Sequence, residues 1–308
     1  MKEVIKIGTR ESQLAVWQAR HVQNLLQKNN VASELVYIKS EGDVDTLTPL
    51  YELGVQGIFT KTLDVALLNH RIDIAVHSMK DVPTKMAEGI KQAAVLERAS
   101  YKDILVYKND RSFLQDKNGI ATIATSSIRR MAQWLHQYPN HTIENLRGNV
   151  NTRLRKLDKH NWNGAIFAAA GLERIDLRPE TSVDLDWMLP SPAQGAIIIV
   201  CRVDDDEVYN VCNVLNDGNT ALCTKIEKDF LRALSGGCST PISGLAELKD
   251  NKIIFKGNIC STDGRQIIEI EKESVDKDAG ELGFNAGNEL LQNGEVQKII
   301  AEIKNAKK

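Results

Sequence analysis

The 308-residue chain is long enough for two or three domains, and 42% hydrophobic with 26% charged residues is the balance of a soluble globular protein. A formal net charge of -2 gives no whole-molecule attraction to nucleic acid or anionic membrane, so any anion-binding surface must be local. No run of 18 apolar residues marks a membrane span, and the opening MKEVIKIGTRES lacks the apolar core and cleavage site of a secretory signal.

The first 200 residues alternate short apolar runs with helix-like stretches. Val4 to Ile7 reads as a strand. Ser12 then caps a helix whose apolar face holds Leu14, Trp17, Val22, Leu25 and Leu26. Leu35 to Ile38 is a second strand; Phe59, Leu63, Ala66 and Leu67 mark a second helix; Ile72 to Val76 is a third strand. This β-α-β-α-β order predicts a parallel sheet covered on both faces. The pattern restarts after Tyr101, with strands at 104–107, 120–124, 142–146 and 165–169 and helices around 127–137 and 149–159. Two similar α/β halves imply a two-lobed cleft. Pro190 and Pro192 break the chain, and Ala196 to Cys201 is an isolated strand that must join an existing sheet. From about 217 the character changes to a helix (219–234), two alternating segments (251–259 and 265–271) around a turn at 262–264, and a helical end. This is a small α+β domain with an antiparallel sheet.

Four groups of polar residues lie where strands run into helices. Gly8 to Ser12 combines helix-start amides with Arg10, which is either an anion site or an ordinary N-cap beside a surface Arg. Val76 to Thr84 carries His77, Ser78, Lys80 and Asp81 at the carboxyl end of a buried strand, where α/β sheets hold ligands. Lys80 with Asp81 is otherwise a solvated pair, and His77 a core histidine. Ala124 to Arg130 repeats the pattern, followed by Arg147, Arg153 and Arg174, each soon after a strand. Guanidinium groups bind carboxylates in bidentate fashion, so these residues predict a ligand with several carboxylates or phosphates. A nucleic-acid groove lacks the interleaved aromatics that stack bases. Finally, Gly236 and Gly237 permit an exposed loop presenting Cys238, a nucleophile if its pKa is lowered and otherwise a small buried hydrophobe. The five cysteines, at 201, 212, 223, 238 and 260, form no C-x-x-C pair, which fits reduced thiols in the cytoplasm. The six His form no metal-binding cluster, and no metal is expected.

Taken together, GTRES, GIFTK, DIAVHSMKDVPT, ATSSIRR, LRGNVNTRL, AAAGLER, PAQGA and LSGGCSTPI occur in an order that resembles the porphobilinogen deaminase family over essentially the full chain. The resemblance implies two periplasmic-binding-protein-like (type II) α/β domains around a cleft plus a small α+β C-terminal domain. Domain 1 takes residues 1–97 and 196–214, domain 2 takes 98–195 and domain 3 takes 215–308. Return of the chain to domain 1 accounts for the isolated strand. The resemblance further implies a dipyrromethane cofactor, covalently attached through Cys238 by a thioether, on which four porphobilinogen molecules condense with loss of ammonia to give hydroxymethylbilane in haem biosynthesis. It gives Asp81 as the catalytic carboxylate. It assigns cofactor binding to Lys80, Asp81, Ser78, Thr125, Ser126, Ser127, Arg129, Arg130, Arg147, Gly148, Arg153 and Gln194. Substrate binding falls to Arg10, Ser12, Phe59, Arg147, Asn149, Arg153 and Arg174. A cytoplasmic monomeric transferase, with no nucleic-acid or membrane partner, is the expectation.

One departure concerns the stretch around Gly54 to Gly57, a candidate lid. Many family members carry two lysines there, whereas this chain has Glu52 and Gln56, which predicts weaker attraction to carboxylates. A non-enzymatic polycarboxylate-binding protein would explain the arginines, but it leaves the third domain and the Gly-Gly-Cys loop without a role. A degenerate deaminase conflicts with retention of Asp81, Lys80, Cys238 and six arginines.

Overall fold

A computed structural model describes residues 3–39, 60–237 and 240–305, without the side chains of 276–278. By its contacts the chain divides into two compact units: of the described residues, the first holds 3–39, 60–99 and 195–221, and the second 100–194 and 222–305.

The first unit is a five-stranded sheet in the order β2-β1-β3-β10-β4, built from β1 (Ile5–Thr9), β2 (Ser33–Tyr37), β3 (Ile74–Ser78), β4 (Ile90–Val95) and β10 (Ile197–Arg202). β1 pairs in parallel with β2 and β3. The three strands expected to be parallel are so, and β10 joins their sheet antiparallel to both β3 and β4, which makes the whole sheet mixed. Every residue of β10 is buried, as its apolar run requires of a central strand. β4 escapes a hydrophobicity reading because Lys91 and Gln92 interrupt it, and it lies at the sheet edge.

Helix α1 (Gln13–Lys28) starts at Ser12, whose Oγ accepts from the Ala15 amide at 3.4 Å. Of the expected apolar face, Val22 and Leu26 are buried, in one stripe with Gln18 and Ala19, while Leu14, Trp17 and Leu25 are only partly buried. A polar residue stays in that stripe because Gln18 Nε2 donates to Ser78 Oγ at 2.8 Å. Helices α2 (Lys61–Leu68) and α6 (Asp206–Asn213) complete this unit apart from the first turn of α7. The core joins Ile5, Ile7, Val22, Leu26, Ile74, Val76, Ile197 and Ile199.

The second unit holds two sheets. The first has the order β7-β6-β8-β5-β9, from β5 (Asp103–Tyr107), β6 (Thr122–Ala124), β7 (Thr142–Glu144), β8 (Gly164–Ala168) and β9 (Ser182–Asp184). β6 is parallel to β7 and β8, while β5 is antiparallel to β8 and β9. Helices α3 (Ile128–Gln137), α4 (Val150–Lys159) and α5 (Ala169–Glu173) follow β6, β7 and β8. Separate apolar clusters, one around Trp134 and Ile166 and one around Leu146 and Phe167, pack this sheet. Each of the two sheets thus holds one strand slotted in against the direction of its neighbour, β10 in the first and β5 in the second.

The other sheet of this unit is the antiparallel meander β11 (Ile242–Lys249), β12 (Lys252–Cys260) and β13 (Ile267–Val275). It packs with α7 (Gly218–Ala233), α8 (Leu282–Leu291) and α9 (Gly294–Asn305) around Phe230, Phe255 and Ile299. β11 was not expected from the sequence. Gln133 on α3 ties this part to the α/β sheet, its Nε2 donating to Ser243 Oγ at 2.9 Å.

Candidate active site

In the first unit, Gly8 stands opposite Ala75, so the carboxyl ends of β1 and β3 leave the sheet side by side. Arg10 and Ser12 follow β1. Ser78 ends β3, and Met79–Asp81 form a single 3-10 turn held by the Met79 amide, which donates to the Ala196 carbonyl at 3.0 Å. Lys80 and Asp81 on this turn are half-buried. The Asp81 carboxylate accepts no hydrogen bond and meets no cation among the described residues. It is a preset negative group at the strand end where α/β sheets bind ligands.

His77, on the same strand, is 7% exposed, and its Nε2 has no hydrogen-bond partner among the described residues. Burial, with the charge of Arg10 adding, pushes its pKa down from 6.5 to about 4. Asp64 lines the same small cavity beside Thr60, and burial raises its pKa from 3.8 to about 6 against the Thr60 hydrogen bond. The two groups act on stability with opposite signs. Above pH 6.5 the contribution of neutral His77 is fully present; between 6.5 and 4 only the unfolded chain takes up that proton, so stability falls with pH. Between 6 and 3.8 the folded chain protonates Asp64 first, so stability rises as pH falls. His77→Leu is therefore expected to remove a pH-dependent loss on the order of 1–3 kcal/mol, leaving the Asp64 trend exposed. Urea unfolding of both proteins from pH 7 to 4.5 checks this, and an unchanged slope would clear His77 of titrating there.

In the second unit the parallel register of β6, β7 and β8 sends their following segments off one edge. After β6, Thr125 Oγ1 accepts from the Ser127 amide, Ser126 Oγ donates to the Leu146 carbonyl at 2.7 Å, and Ser127 caps α3. After β7 come buried Arg147, then Gly148, then Asn149 capping α4 through the Thr152 amide at 2.9 Å. Gly148 is required here: its φ is +110°, and a Cβ would meet Thr152 Cγ2 at 2.7 Å. Arg153 is anchored by Nε donating to the Gly148 carbonyl at 2.7 Å. Arg174 follows α5, and burial lowers its pKa to about 10, which leaves it charged at neutral pH.

Arg129 and Arg130 are almost wholly buried, and their partner is a residue outside the sequence expectations, Asp103. Burial alone would raise the Asp103 pKa, but the two guanidiniums outweigh it and hold the carboxyl well below the usual range. Its stabilisation is present above pH 3.8 and is lost as acid protonates it. Gln194 Nε2 donates to Asp103 Oδ1 at 2.9 Å and to the Tyr101 carbonyl at 2.8 Å. Nothing marks Asp103 in the sequence except a carboxylate at the head of a buried apolar run. Gln18, which holds Ser78, was missed for the same reason: a polar residue within an apolar stripe carries no local sign of its partner.

Phe59, Cys238 and the Glu52–Gln56 stretch lie outside the described residues. On either side of Cys238, the Gly236 amide donates to the Leu231 carbonyl at 2.9 Å, and Thr240 Oγ1 donates to the Gly237 carbonyl at 2.7 Å. The four described cysteines are buried and none is in a disulfide, and burial pushes the thiols of Cys212 and Cys260 up to about 12. Among the described residues no group of three or more His, Cys, Asp or Glu could hold a metal, and no helix is long and apolar enough to cross a membrane.

Comparison with known proteins shows which family the chain resembles over nearly its full length. Residues 5–210 match the model of the porphobilinogen deaminase dipyrromethane cofactor binding domain, and 221–292 the model of the porphobilinogen deaminase C-terminal domain. Porphobilinogen deaminase from Chlorobium phaeobacteroides is 39% identical over 312 residues, and that from Desulforamulus reducens is 38% identical over 309, each alignment covering 99% of both chains. Among solved structures, the lipoprotein Tp32 from Treponema pallidum aligns over 72% of this chain and 95% of its own, with 12% identity and a TM-score of 0.44. With both family models matched in order and near-complete alignment to these relatives, the chain belongs to the porphobilinogen deaminase family.

Proposed function

We propose that this chain is a transferase that joins four porphobilinogen molecules head to tail, with loss of ammonia, on a dipyrromethane bound through Cys238, and releases linear hydroxymethylbilane. It works as a cytoplasmic monomer without nucleic-acid or membrane partners. Its three domains are 1–97 with 196–214, 98–195, and 215–308. The observation that carries the reading is Asp81, a half-buried carboxylate on a fixed turn with no described partner of its own, in a chain of this family.

The residues present fit a dipyrromethane. Each of its two rings bears an acetate and a propionate, and the second unit offers guanidiniums and hydroxyls at one sheet edge. Arg129, Arg130, Arg147 and Arg153, with Thr125, Ser127 and Gly148, would meet those carboxylates, Ser126 and Gln194 would keep that edge in shape through their bonds to Leu146 and Asp103, and Lys80 and Ser78 are the further donors of this reading. When bound, the group supplies a nucleophilic pyrrole α-carbon. Arg10, Ser12, Asn149 and Arg174, together with Arg147 and Arg153, bind and orient the side chains of incoming porphobilinogen, and Phe59 stacks on its ring. Loss of ammonia from porphobilinogen leaves positive charge spread onto the pyrrole nitrogen. Asp81 stabilises that charge at the N–H and accepts protons as the new carbon–carbon bond forms.

The test is the intact mass of the purified, denatured chain. The expected result is an excess of two porphobilinogen units less two ammonia, absent from Cys238→Ser. A wild-type mass that stays at the sequence value, even after incubation with porphobilinogen, would favour a polycarboxylate-binding protein instead.

A further inference from the structure

We propose that Asp103 is a positioning residue that aims Arg129 at a carboxylate of the bound dipyrromethane, with Arg130 bracing Asp103 through two of its own N–H groups and the Ile166 carbonyl through a third. The inference rests on the cofactor reading above.

Asp103 opens β5, opposite Ala168 at the carboxyl end of β8, and therefore at the sheet edge where Thr125 to Arg130 and Leu146 to Arg153 emerge. It is 0% exposed. Its Oδ1 accepts from Arg130 Nε at 3.0 Å, Arg130 Nη2 at 2.7 Å and Gln194 Nε2 at 2.9 Å. Its Oδ2 accepts from Arg129 Nη1 at 2.7 Å. A buried carboxylate with four donors leaves its neighbours little rotational freedom, because turning either guanidinium away would strand charge inside the protein.

The two arginines are spent differently. Arg130 uses all three guanidinium nitrogens inward, since Nη1 also donates to the Ile166 carbonyl at 3.0 Å. Arg129 uses only Nη1, shared between Asp103 and the Leu189 carbonyl at 2.9 Å. Its Nε and Nη2 donate to no described residue. These two N–H groups form the side of a guanidinium that matches a carboxylate in a bidentate pair. Asp103 thus fixes the plane of Arg129 by one corner and leaves its pairing edge open, while Arg130 and Gln194 keep Asp103 from turning. The ligand recognised is a carboxylate borne on the cofactor.

The test measures dipyrromethane content by intact mass, together with KM and kcat for porphobilinogen and the thermal midpoint, on wild type, Asp103→Asn, Asp103→Glu and Arg129→Lys. For Asp103→Asn the expected result is that folded chains carry the cofactor at no more than about a tenth of the wild-type level, or show KM raised by about tenfold, with partial recovery in Asp103→Glu. Fully loaded folded Asp103→Asn with wild-type KM and only a lower midpoint would overturn the proposal, since a purely structural role predicts that outcome. Should Asp103→Asn not accumulate as folded protein, Arg129→Lys decides. It keeps a cation for Asp103 but has no Nε–Nη2 edge, so it should fold with a near-normal midpoint and lose loading or raise KM by about tenfold. Wild-type loading and KM in Arg129→Lys would overturn the proposal. A wild-type chain that never gains the dipyrromethane mass sinks the cofactor reading itself, and is told apart by that control.

Discussion

Asp81→Asn is expected to lower turnover of porphobilinogen about a thousandfold, close to 4 kcal/mol of lost transition-state stabilisation. The substitution keeps size and shape and removes only the charge. Because Asp81 accepts no hydrogen bond from the described residues and is half-buried, the fold does not lean on its charge, and stability should change by no more than about 0.5 kcal/mol. The missing charge matters where the reaction generates its opposite: once ammonia has left, the positive pyrrole nitrogen has no counter-charge on the turn that follows β3. Lys80 cannot substitute, having the wrong sign. The loss should fall on kcat, since binding of the propionate and acetate groups depends on arginines elsewhere. Steady-state consumption of porphobilinogen, compared at equal dipyrromethane content, measures it. A rate within a few-fold of wild type would remove Asp81 from the central role.

The segments proposed to carry this chemistry stand out in the sequence because each sits where an apolar strand gives way to polar residues at a helix start. Ser12 and Ser127 both cap helices as local side-chain-to-backbone contacts, which depend on three or four neighbouring residues. What local pattern does not encode is partner choice across the chain. Strand β10 reads as a buried strand, but its antiparallel seat between β3 and β4 is fixed by hydrogen bonds to residues more than 100 positions away. Arg129 and Arg130 read as a pair of ligand arms; in the fold both meet Asp103, whose burial no periodicity announces. Gln18 is a similar case. It breaks the apolar pattern of α1, and only the position of Ser78 explains why the break is tolerated. Local pattern thus names candidate donors and is silent on how they are aimed.

The integrity of the part that flanks Cys238 rests on a close helix contact, and Gly283→Ala is expected to break it. On α8, a Cβ at Gly283 would lie 1.8 Å from the Ile226 carbonyl oxygen and 2.7 Å from its carbon, and one at Gly287 would lie 2.5 Å from Ala233 Cβ. Backbone meets backbone here, so no side-chain rotation relieves the overlap. α8 must move off α7, opening space around Ile226, Phe230 and Ala286. α7 has little freedom to follow, since Glu227 accepts from the Ala246 amide at 2.8 Å and the Ala193 amide at 2.6 Å. The cost should be about 3 kcal/mol or more, seen as a fall of about 5–10 °C in the midpoint of the transition that unfolds this part. Gly294→Ala, at the start of α9, is the matched control: nothing lies within 4 Å of its Cβ, so greater helix propensity should leave stability unchanged or raise it by up to about 1 kcal/mol. Equal, small effects at both positions would mean that α7 and α8 do not pack this closely. A loss confined to Gly283→Ala would show that the helix leading into the Gly236–Gly237 loop is held in place from behind by a residue with no side chain at all.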